Sequence, residues 1–186
     1  VHDGETGLLI ARALDRDGLR VVTIERDEAR IQELEVEDFA SDVLVLNADA
    51  ALPQNLLMAG LDHRSCRGVL AVTDDDSANL AVAIASRLIN PRLMIVARVA
   101  SPAIEANMMS FGTHYVVNHF ERFADYLAQA IHSPNWYRLV DLLTGMPEQE
   151  VPERHDPPVG DWIVCGYGRF GQAVVRNLER QGINLT

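Results

Sequence analysis

The sequence DWIVCGYGRFG at residues 161–171, followed by QAVVRNLER at 172–180, decides how the rest of the chain is interpreted. A short apolar run, a glycine-rich turn and an amphipathic segment, in this order, are typical of the first strand, turn and helix of a dinucleotide-binding βαβ unit. Gly166 would permit the tight turn, Gly168 would let the backbone approach a pyrophosphate, and Gly171 would let the helix pack against the strand. The amide groups and dipole of the helix would then face the phosphates.

The same element recurs in altered form at the start of the chain. When the sequence is shifted by 164 positions, VHDGETG at 1–7 falls on CGYGRFG at 165–171. The identities continue further along, and the matched pairs are Arg12 with Arg176, Leu14 with Leu178, Arg16 with Arg180 and Gly18 with Gly182. The chain is therefore predicted to be a tandem repeat. The first copy is expected to begin just after its own first strand, and the second to stop as its second strand begins.

The composition favours an intracellular soluble protein. Of 186 residues, 48% are hydrophobic and 23% are charged, which suffices for one ordinary core. The net charge of −11 argues against nucleic acid as a partner, because a duplex is bound mainly by Lys and Arg. Cys66 and Cys165 are far apart and are expected to be small buried side chains in a reducing compartment. No apolar run approaches the roughly 20 residues that span a bilayer.

Helices and strands are predicted to alternate through the first copy. Helices are expected at 4–16, 27–35, 53–59, 78–88 and 102–110, and strands at 19–24, 43–46, 68–72, 93–97 and 115–117. With the cut first strand, this makes six strands alternating with helices. That order predicts the α/β class, with a doubly wound, Rossmann-like parallel sheet.

Polar residues follow several of these strands, at the edge where ligands of open α/β sheets bind. Glu25 lies 18 residues after Gly7, close to the spacing at which an acid binds an adenosine ribose; the alternative is a solvated carboxylate at a helix start. Asp49 could reach an adenine or ribose, or cap the next helix, and the sequence leaves both open. Arg98 is expected to face a phosphate rather than only to neutralise nearby acids.

Three carboxylates in a row occur in the segment TDDDS at 73–77. They suggest a divalent metal site at first sight. The preferred interpretation is that Asp and Ser begin the following helix, where the helix dipole favours negative charge.

A different pattern begins at Phe120. Apolar positions mark two helices, at 120–131 and 136–143, separated by Ser133-Pro134. Because these faces have no sheet of their own to cover, the pair, with Trp136 and Tyr137, is predicted to be an association surface; plain self-packing is the alternative. The predicted domains are a first lobe at 1–118, the helix pair at 119–145, a proline-rich linker at 146–160 and the start of a second lobe at 161–186.

The order GETG, TIER, LNADA, VLAVTDDDSANLAVAIASRLINP, MIVARV and FGTHYVVN, followed by the helix pair, resembles the amino-terminal lobe of RCK domains, the regulators of potassium conductance. The resemblance covers residues 1 to about 144 and resumes at 161. Such domains also form the soluble subunit of Trk and Ktr potassium uptake systems. In that family the lobes pair and assemble into a ring beneath a membrane pore, and binding of nucleotides or ions moves the ring and opens or closes the pore. The tandem arrangement is similar to channel proteins with two RCK units.

The resemblance also implies a set of ligand-binding residues. Gly4, Thr6 and Gly7 would meet phosphates, Glu25 and Arg26 the adenosine ribose, Asp49 and Ala50 the adenine, and Thr73, Asp74 and Arg98 the far side of the ligand. In the second copy, Gly166, Gly168, Arg169, Phe170 and Gly171 would hold a dinucleotide. The implied ligand is NAD or NADH, or an adenine nucleotide (ATP, ADP or AMP). The helix pair would lie in a dimer interface.

The sequence departs from the family pattern at several positions. His2 replaces the first glycine of the first turn, and Glu5 places a negative charge where a pyrophosphate would lie, so the second copy is the better dinucleotide candidate. The ribose acid of that copy would fall beyond the last residue. Calcium-responsive relatives place acids just past the fifth strand. Here Arg98, Val99 and Ala100 occupy those places, so no calcium site is predicted.

The sequence therefore predicts a non-enzymatic, nucleotide-sensing gating-ring module of a potassium channel or transporter, located in the cytoplasm at the inner face of the cell membrane. Homodimers would assemble into a ring, and the pore would belong to the same polypeptide or to a separate subunit. One alternative is an NAD-dependent oxidoreductase or epimerase, which needs a proton-transferring group beside the nicotinamide. The other is a structural assembly lobe with a vestigial nucleotide site.

Overall fold

The computed structural model describes residues 5–41, 43–144 and 160–185. The helices are α1 (Glu5–Arg16), α2 (Glu28–Glu35), α3 (Pro53–Met58), α4 (Asp76–Ile89), α5 (Pro102–Ser110), α6 (His119–His132), α7 (Pro134–Thr144) and α8 (Arg169–Arg180). The strands are β1 (Val22–Glu25), β2 (Leu44–Asn47), β3 (Gly68–Ala71), β4 (Met94–Val99) and β5 (Tyr115–Asn118). The chain divides into two compact units, Val1–Val117 and Asn118–Thr186.

The strands of the first unit form two sheets. β1 pairs in parallel with β2, and β3, β4 and β5 lie side by side in that order, with β3 and β4 parallel. This arrangement confirms the predicted Rossmann-like α/β class. The general doubly wound fold has the strand order 3-2-1-4-5-6. In that numbering, β1 and β2 of this chain correspond to strands 2 and 3, and β3, β4 and β5 correspond to strands 4, 5 and 6. The sequence predicts one continuous sheet, whereas the described strands form two ladders.

The core of the first unit lies between the central sheet and its helices. Ala97 and Val99 of β4 and Met108 of α5 are completely buried, and Val82 of α4 packs in the same cluster. Ile24 of β1 packs against this cluster, so both sheets share one core. Alternation along β4 places every second residue in the core, as expected for a central strand.

Most predicted elements are found, with small differences at their ends. The helix predicted at 102–110 has the observed bounds, and α4 begins two residues earlier than expected because Asp75, not Ser77, is its N-cap. β1 begins at Val22, three residues later than the strand predicted at 19–24. The amide of Leu19 donates to the Leu14 carbonyl in the turn after α1, so Leu19 belongs to the helix ending. The predicted linker at 146–160 lies almost entirely outside the described residues.

The internal repeat has a direct structural counterpart. α1 and α8 begin and end 164 positions apart, and each has 12 residues. Both are followed by a glycine with positive φ, 74° at Gly18 and 75° at Gly182. The amide of Leu19 donates to Leu14 over 3.0 Å, and the equivalent amide of Ile183 donates to Leu178 over 3.1 Å. The two segments therefore share the same helix ending.

In the second unit, α6 packs directly on α8. Ala124 and Ala128 of α6 and Ala173 of α8 are completely buried in one cluster. Part of the apolar face of α6 is therefore covered within the chain, whereas Phe123 remains 57% exposed, and the association role predicted for the helix pair stays a prediction. α7 keeps the predicted exposure, with Trp136, Leu139, Leu142 and Leu143 on the surface.

A polar contact fixes the register of α6 against α8. The carboxylate of Glu121 accepts hydrogen bonds from the side chains of Arg176 and Asn177, the latter over 3.0 Å. Burial raises the pKa of Glu121. The hydrogen bonds and the positive charges from α8 lower it by more than burial raises it, so the pKa lies below its usual value. Glu121 is therefore charged at neutral pH and holds the two helices in one alignment.

Asp15 is a buried carboxylate that the sequence analysis did not identify. It accepts hydrogen bonds from the Ser41 hydroxyl and from the amides of Ala40 and Ser41, at 2.5 and 3.0 Å for the two amides. The Ser41 hydroxyl is the main cause that lowers the pKa of Asp15 below its usual value of about 3.8, and with the two amides it outweighs the effect of burial. The residue ties α1 to the segment before β2.

Replacement of Asp15 by asparagine is expected to destabilise the first unit at neutral pH and to reduce its sensitivity to acid. Because the pKa of Asp15 is lowered on folding, its charge stabilises the fold above about pH 3.8, and this contribution is lost as the pH falls through the folded pKa. Thermal unfolding followed by circular dichroism between pH 7 and 2.5 checks this. The difference in melting temperature between wild type and variant should shrink with acid, and a constant difference contradicts the assignment.

Two further observations concern the surface. Cys66 is half-buried and Cys165 is exposed, so the expectation of two buried cysteines is wrong for Cys165, which lies in the turn before α8. Among the described residues, no helix combines the length and apolar composition needed to cross a lipid bilayer.

Candidate nucleotide-binding site

The ends of β1 and β2 meet at one edge of their sheet. Glu25 and Asn47 are register partners, and the amide of Ala48 donates to the Glu25 carbonyl over 3.0 Å. Glu25 and the turn containing Asp49 are thus adjacent. The acid predicted to bind a ribose and the acid predicted to reach an adenine therefore belong to one short stretch of the sheet edge.

The carboxylate of Glu25 is held by its own loop. One oxygen, Oε1, accepts from the amides of Arg26 and Asp27 at 2.7 and 2.9 Å, and the other, Oε2, is 4.0 Å from Arg30. Asp27 caps α2 by accepting from the amides of Ala29 and Arg30. The sequence suggested a helix-start role for Glu25, but Asp27 performs it. Glu25 lies at the end of the strand, where the two amide hydrogen bonds to Oε1 hold its carboxylate in one orientation.

Asp49 closes a turn and does not cap the following helix. Its Oδ1 accepts from the amide of Ala51 over 2.9 Å, whereas the N-cap of α3 is Leu52, which makes no side-chain capping bond. The side chain is exposed. Ala50 is half-buried and packs against the core of the unit, so it anchors the turn to the core.

The ends of β3 and β4 are joined by Asn79, a residue of α4 that is completely buried. Its side-chain amide donates to the carbonyls of Thr73 and Arg98 at 2.8 and 3.1 Å. Its carbonyl oxygen accepts from the amide and the hydroxyl of Thr73 at 3.0 and 2.8 Å. Asn79 therefore sets the separation of the two strand ends, and the Thr73 hydroxyl serves this network.

The three consecutive acids have separate surroundings. Asp75 is the N-cap of α4 and accepts from the amides of Ser77 and Ala78, which confirms the predicted helix-start role. Asp76 accepts from the amides of Ala100 and Ser101, at 2.9 and 2.8 Å, and so ties α4 to the loop after β4. Asp74 is exposed. Two of the three carboxylates are thus committed to backbone amides, and the described residues contain no group of three or more His, Cys, Asp or Glu arranged to hold a metal ion.

Arg98 lies in β4 between the completely buried Ala97 and Val99, and its own side chain is half-buried. Neighbouring residues of a strand face opposite sides of the sheet. Ala97 and Val99 face the core, so Arg98 faces the other side. Its carbonyl is anchored by Asn79. Thr73 and Arg98 are therefore brought together at the ends of β3 and β4.

Three glycines of the second repeat, Gly166, Gly168 and Gly171, lie in the turn before α8 and in its first turn. Gly166 has a φ of 103°, which side chains rarely adopt, and a Cβ on Gly171 would lie 1.9 Å from the Gly166 carbonyl oxygen. Gly168 is the N-cap of α8, and a Cβ added to it would meet no described atom within 4 Å apart from its chain neighbours. The conformation of Gly166 agrees with the predicted tight turn, and the contact at Gly171 agrees with the predicted close packing of the helix. The pyrophosphate contact predicted at Gly168 stays a prediction.

Arg169 and Phe170 open α8 and contact α6. The Arg169 guanidinium lies 5.6 Å from the centre of the Phe120 ring, and Phe170 lies 5.2 and 6.1 Å from the rings of Phe123 and Phe120. Both residues were predicted to contact a dinucleotide, and the structure shows that they also join the turn to α6. This contact was not visible in the sequence, since the two segments lie some 50 residues apart.

Only part of the first glycine turn is described. Thr6 and Gly7 lie in the first turn of α1 and are half-buried. A Cβ on Gly7 would meet no described atom within 4 Å other than its chain neighbours and the backbone of α1, in contrast to a Cβ on Gly171. Gly4, His2 and the side chain of Glu5 lie outside the described part of the chain, so the predicted effect of the Glu5 charge remains a prediction. Arg26 is exposed beside Glu25.

The fold and the polar strand ends define a class: a Rossmann-like α/β domain whose candidate ligand site lies at the carboxyl edge of parallel strands. The TrkA-N domain model matches residues 4–119. Because this is more than half of the sequence, the chain belongs to the TrkA-N domain family.

Individual relatives agree with this assignment. The chain is 27% identical over 142 residues to the Trk system potassium uptake protein TrkA homolog of Pyrococcus horikoshii, covering 74% of this chain and 60% of that protein. The GsuK channel bound to NAD superposes over the full chain, and 44% of its own, with a TM-score of 0.71 and 13% identity. GsuK bound to ADP covers 96% of this chain and 39% of its own, with a TM-score of 0.66 and 17% identity. At these identities the structural matches establish the fold, and the chain spans 60% of the Pyrococcus protein and less than half of each GsuK chain.

Proposed function

We propose that this chain is a nucleotide-binding regulatory module of a potassium transport system, and that it senses NAD, NADH or an adenine nucleotide without chemical turnover. The observation that carries the proposal is the placement of Glu25 beside Asn47, two residues before Asp49, at the shared end of β1 and β2. In dinucleotide-binding folds an acid at a strand end binds the adenosine ribose, and Asp49 would offer a second acceptor beside it for the adenine. Membership of the TrkA-N family and the NAD- and ADP-bound GsuK structures support the choice of ligand.

Each repeat would contribute one ligand site. In the first repeat, Glu25 and Arg26 would bind the ribose, Asp49 and Ala50 the adenine, and Thr73, Asp74 and Arg98 the far side of the ligand, with Gly4, Thr6 and Gly7 at the phosphates. In the second repeat, the turn with Gly166, Gly168, Arg169, Phe170 and Gly171 would bind phosphates. The division into lobes at 1–118 and 161–186, with a helix pair at 119–145 and a linker at 146–160, belongs to the same proposal.

The ligand would act by shifting an equilibrium. A nucleotide that binds one arrangement of the lobes better than another changes their populations by the ratio of its two affinities. In a gating ring of paired lobes at the inner face of the membrane, this shift would change the conduction of a potassium pore supplied by the same polypeptide or by a separate subunit. The name of the Pyrococcus relative supports a potassium uptake system as the context.

A dehydrogenase or epimerase is less well supported by the surroundings of the histidines. His63 is hydrogen-bonded to Ser65, and His114 accepts from the amide of Ile95 over 3.1 Å. His119 and His132 lie at the two ends of α6. His63 and His114 are therefore engaged by Ser65 and by the Ile95 amide, which lie outside the set of Glu25, Asp49, Thr73 and Arg98 that forms the candidate site.

Isothermal titration calorimetry with NAD, NADH, ATP, ADP and AMP tests the proposal. At least one nucleotide is expected to bind, and Asp49→Ala should weaken its binding about tenfold, equivalent to about 1.4 kcal/mol, because an acceptor at the strand end is removed. Asp62→Ala, an exposed acid between α3 and β3, is the matched control and should leave affinity unchanged.

The same samples distinguish the alternatives. Absorbance at 340 nm in the presence of NADH should stay constant, and its loss with a carbonyl substrate would establish an enzyme. Absence of heat for all five nucleotides at millimolar concentration would favour a structural lobe with a vestigial site and would contradict the proposal.

A further inference from the structure

The loops before β3, β4 and β5 are joined into one surface by side chains at the end of α4. The side-chain amide of Asn90, before β4, donates to the carbonyl of Leu61, before β3, over 3.2 Å. The guanidinium group of Arg87 donates to the carbonyl of Gly112, before β5. The three loops therefore lie side by side, and we call them the amino edge, which comprises residues 61–67, 88–94 and 109–115.

The amino edge is basic, although the chain as a whole is acidic. It contains Arg64, Arg67 and Arg92 and a single acid, Asp62, whereas the whole chain has a net charge of −11. All three arginines are exposed, and among the described residues their side chains form no ion pair. Arg67 and Arg92 stand at neighbouring strand starts, because the first residues of β3 and β4 are register partners. Their guanidinium groups are therefore available to an anion from outside the chain.

Large apolar side chains are exposed on the same edge. Leu88, Met94 and Phe111 are 78, 51 and 53% exposed. Arginine beside exposed leucine and aromatic side chains is typical of surfaces that lie on a membrane, where the apolar groups enter the headgroup boundary and the charges meet anionic lipids. The guanidinium group suits this role, because it binds a phosphate through two parallel hydrogen bonds.

The carboxyl ends of the strands have the opposite charge. Six acids follow β1, β2 and β3, namely Glu25, Asp27, Asp49, Asp74, Asp75 and Asp76. β4 has six residues, so the two edges are about 20 Å apart. This distance is about twice the Debye length at physiological ionic strength, so these acids are largely screened from a surface that touches the amino edge. The first unit is therefore electrically polar from one end of its strands to the other.

We propose that the amino edge docks on the anionic surface of a lipid membrane, with the candidate nucleotide site facing away from that surface. The inference rests on the proposed function in one respect, since that function places the chain at the inner face of the cell membrane, where the leaflet carries anionic lipids. The three arginines supply the attraction, and the exposed apolar side chains enter the headgroup region. In this orientation the carboxyl edge of the sheet stays open to nucleotide.

Co-sedimentation of the full chain with sucrose-loaded vesicles tests the proposal. Equimolar phosphatidylcholine and phosphatidylglycerol vesicles should bind the chain, and pure phosphatidylcholine vesicles should not. Because one arginine near an anionic surface changes partitioning about fivefold, the double variant with Arg67→Gln and Arg92→Gln should lower the partition coefficient about thirtyfold. The control with Arg122→Gln and Arg180→Gln has the same net charge and alters exposed arginines of the second unit. It should change the partition coefficient less than about twofold.

Three results of the vesicle experiment would overturn the proposal. An equal loss for the two double variants would mean that net charge alone governs binding. Equal binding to both kinds of vesicle would mean that the arginines do not read lipid charge. An absence of binding to either kind at millimolar lipid would leave an acidic protein segment as the occupant of the amino edge. Far-UV circular dichroism of each variant confirms that its fold is intact.

Anionic nanodiscs that contain a gadolinium-chelating lipid report the orientation of the docked chain. In amide NMR spectra, the signals of Arg64, Arg67 and Arg92 should broaden most, and those of Arg26 and Ala51 at the carboxyl edge should broaden least. The reverse order would overturn the proposal. Since neither experiment contains nucleotide, its failure leaves the nucleotide-binding proposal standing, and an absence of nucleotide binding in calorimetry leaves the membrane result unaffected.

Discussion

Replacing Asn79 by alanine should lower the free energy of unfolding of the first unit by about 3 to 4 kcal/mol. The side chain is completely buried and makes four hydrogen bonds, at 2.8 to 3.1 Å, to Thr73 and to the Arg98 carbonyl. Its removal leaves a backbone amide and two carbonyls without these partners, and an unsatisfied buried group costs about 1–3 kcal/mol. Some of these groups would be rehydrated in the space left behind, which keeps the total below the simple sum.

Urea unfolding followed by far-UV circular dichroism measures this effect. Tryptophan fluorescence is unsuitable, since Trp136 and Trp162 both lie in the second unit. Asn107→Ala, at an exposed position of α5, is the control and should change stability by less than about 0.5 kcal/mol. A loss below about 1 kcal/mol for Asn79→Ala would contradict the view that this residue holds the ends of β3 and β4 together.

Alanine at Gly171 should disrupt the second unit, while alanine at the equivalent Gly7 should be tolerated. A Cβ on Gly171 would lie 1.9 Å from the oxygen and 2.9 Å from the carbon of the Gly166 carbonyl, so the backbone of the turn or of α8 must move. Overpacking typically costs about 1–3 kcal/mol and occasionally more, and a clash with backbone is expected at or above the upper end. At Gly7, where an added Cβ would meet no described atom within 4 Å beyond the chain neighbours and the backbone of α1, alanine should be neutral or stabilise α1 by up to about 1 kcal/mol.

Tryptophan fluorescence during urea unfolding reports on Gly171→Ala, because Trp162 bridges Leu185 beside the turn. Far-UV circular dichroism reports on Gly7→Ala. If both variants lost the same free energy of unfolding, the first repeat would have the same close contact between helix and turn as the second. This result would contradict the difference between Gly7 and Gly171 in the structure.

The order of elements could be predicted from the sequence because each has a local signal. The pair Asp17-Gly18 ends α1, Asn90-Pro91 follows α4, and Pro102 begins α5, and all three signals act within a few residues. The glycine positions at 166, 168 and 171 were likewise predictable, since backbone conformation at a strand–helix turn depends on neighbouring residues.

The contacts that join distant segments could not be predicted in this way. Asp15 binds amides 25 and 26 residues away, and Glu121 binds side chains 55 and 56 residues away. Nothing in the local pattern distinguishes these acids from solvated ones. For the same reason, the sequence did not reveal that α8 covers part of the apolar face of α6.

Asn79 is an intermediate case, because a signal was present. It lies on the same helical face as Ala83 and Ser86, all of which are buried, so the helical period alone places a polar amide in the core. A buried amide requires partners, and the nearest candidates are the backbone groups at the ends of the adjacent strands.

The position of a bound nucleotide tests the central claim most directly. In amide NMR spectra of the ¹⁵N-labelled chain titrated with ADP or NAD, the largest shifts should occur at the amides of Arg26 and Asp27, which donate to Glu25, and of Ala51, which donates to Asp49. These hydrogen bonds must readjust when a ribose or adenine binds the same carboxylates. Shifts confined to α7 or to the amino ends of the strands, with these three amides unchanged, would contradict a ligand site at the carboxyl edge of the sheet.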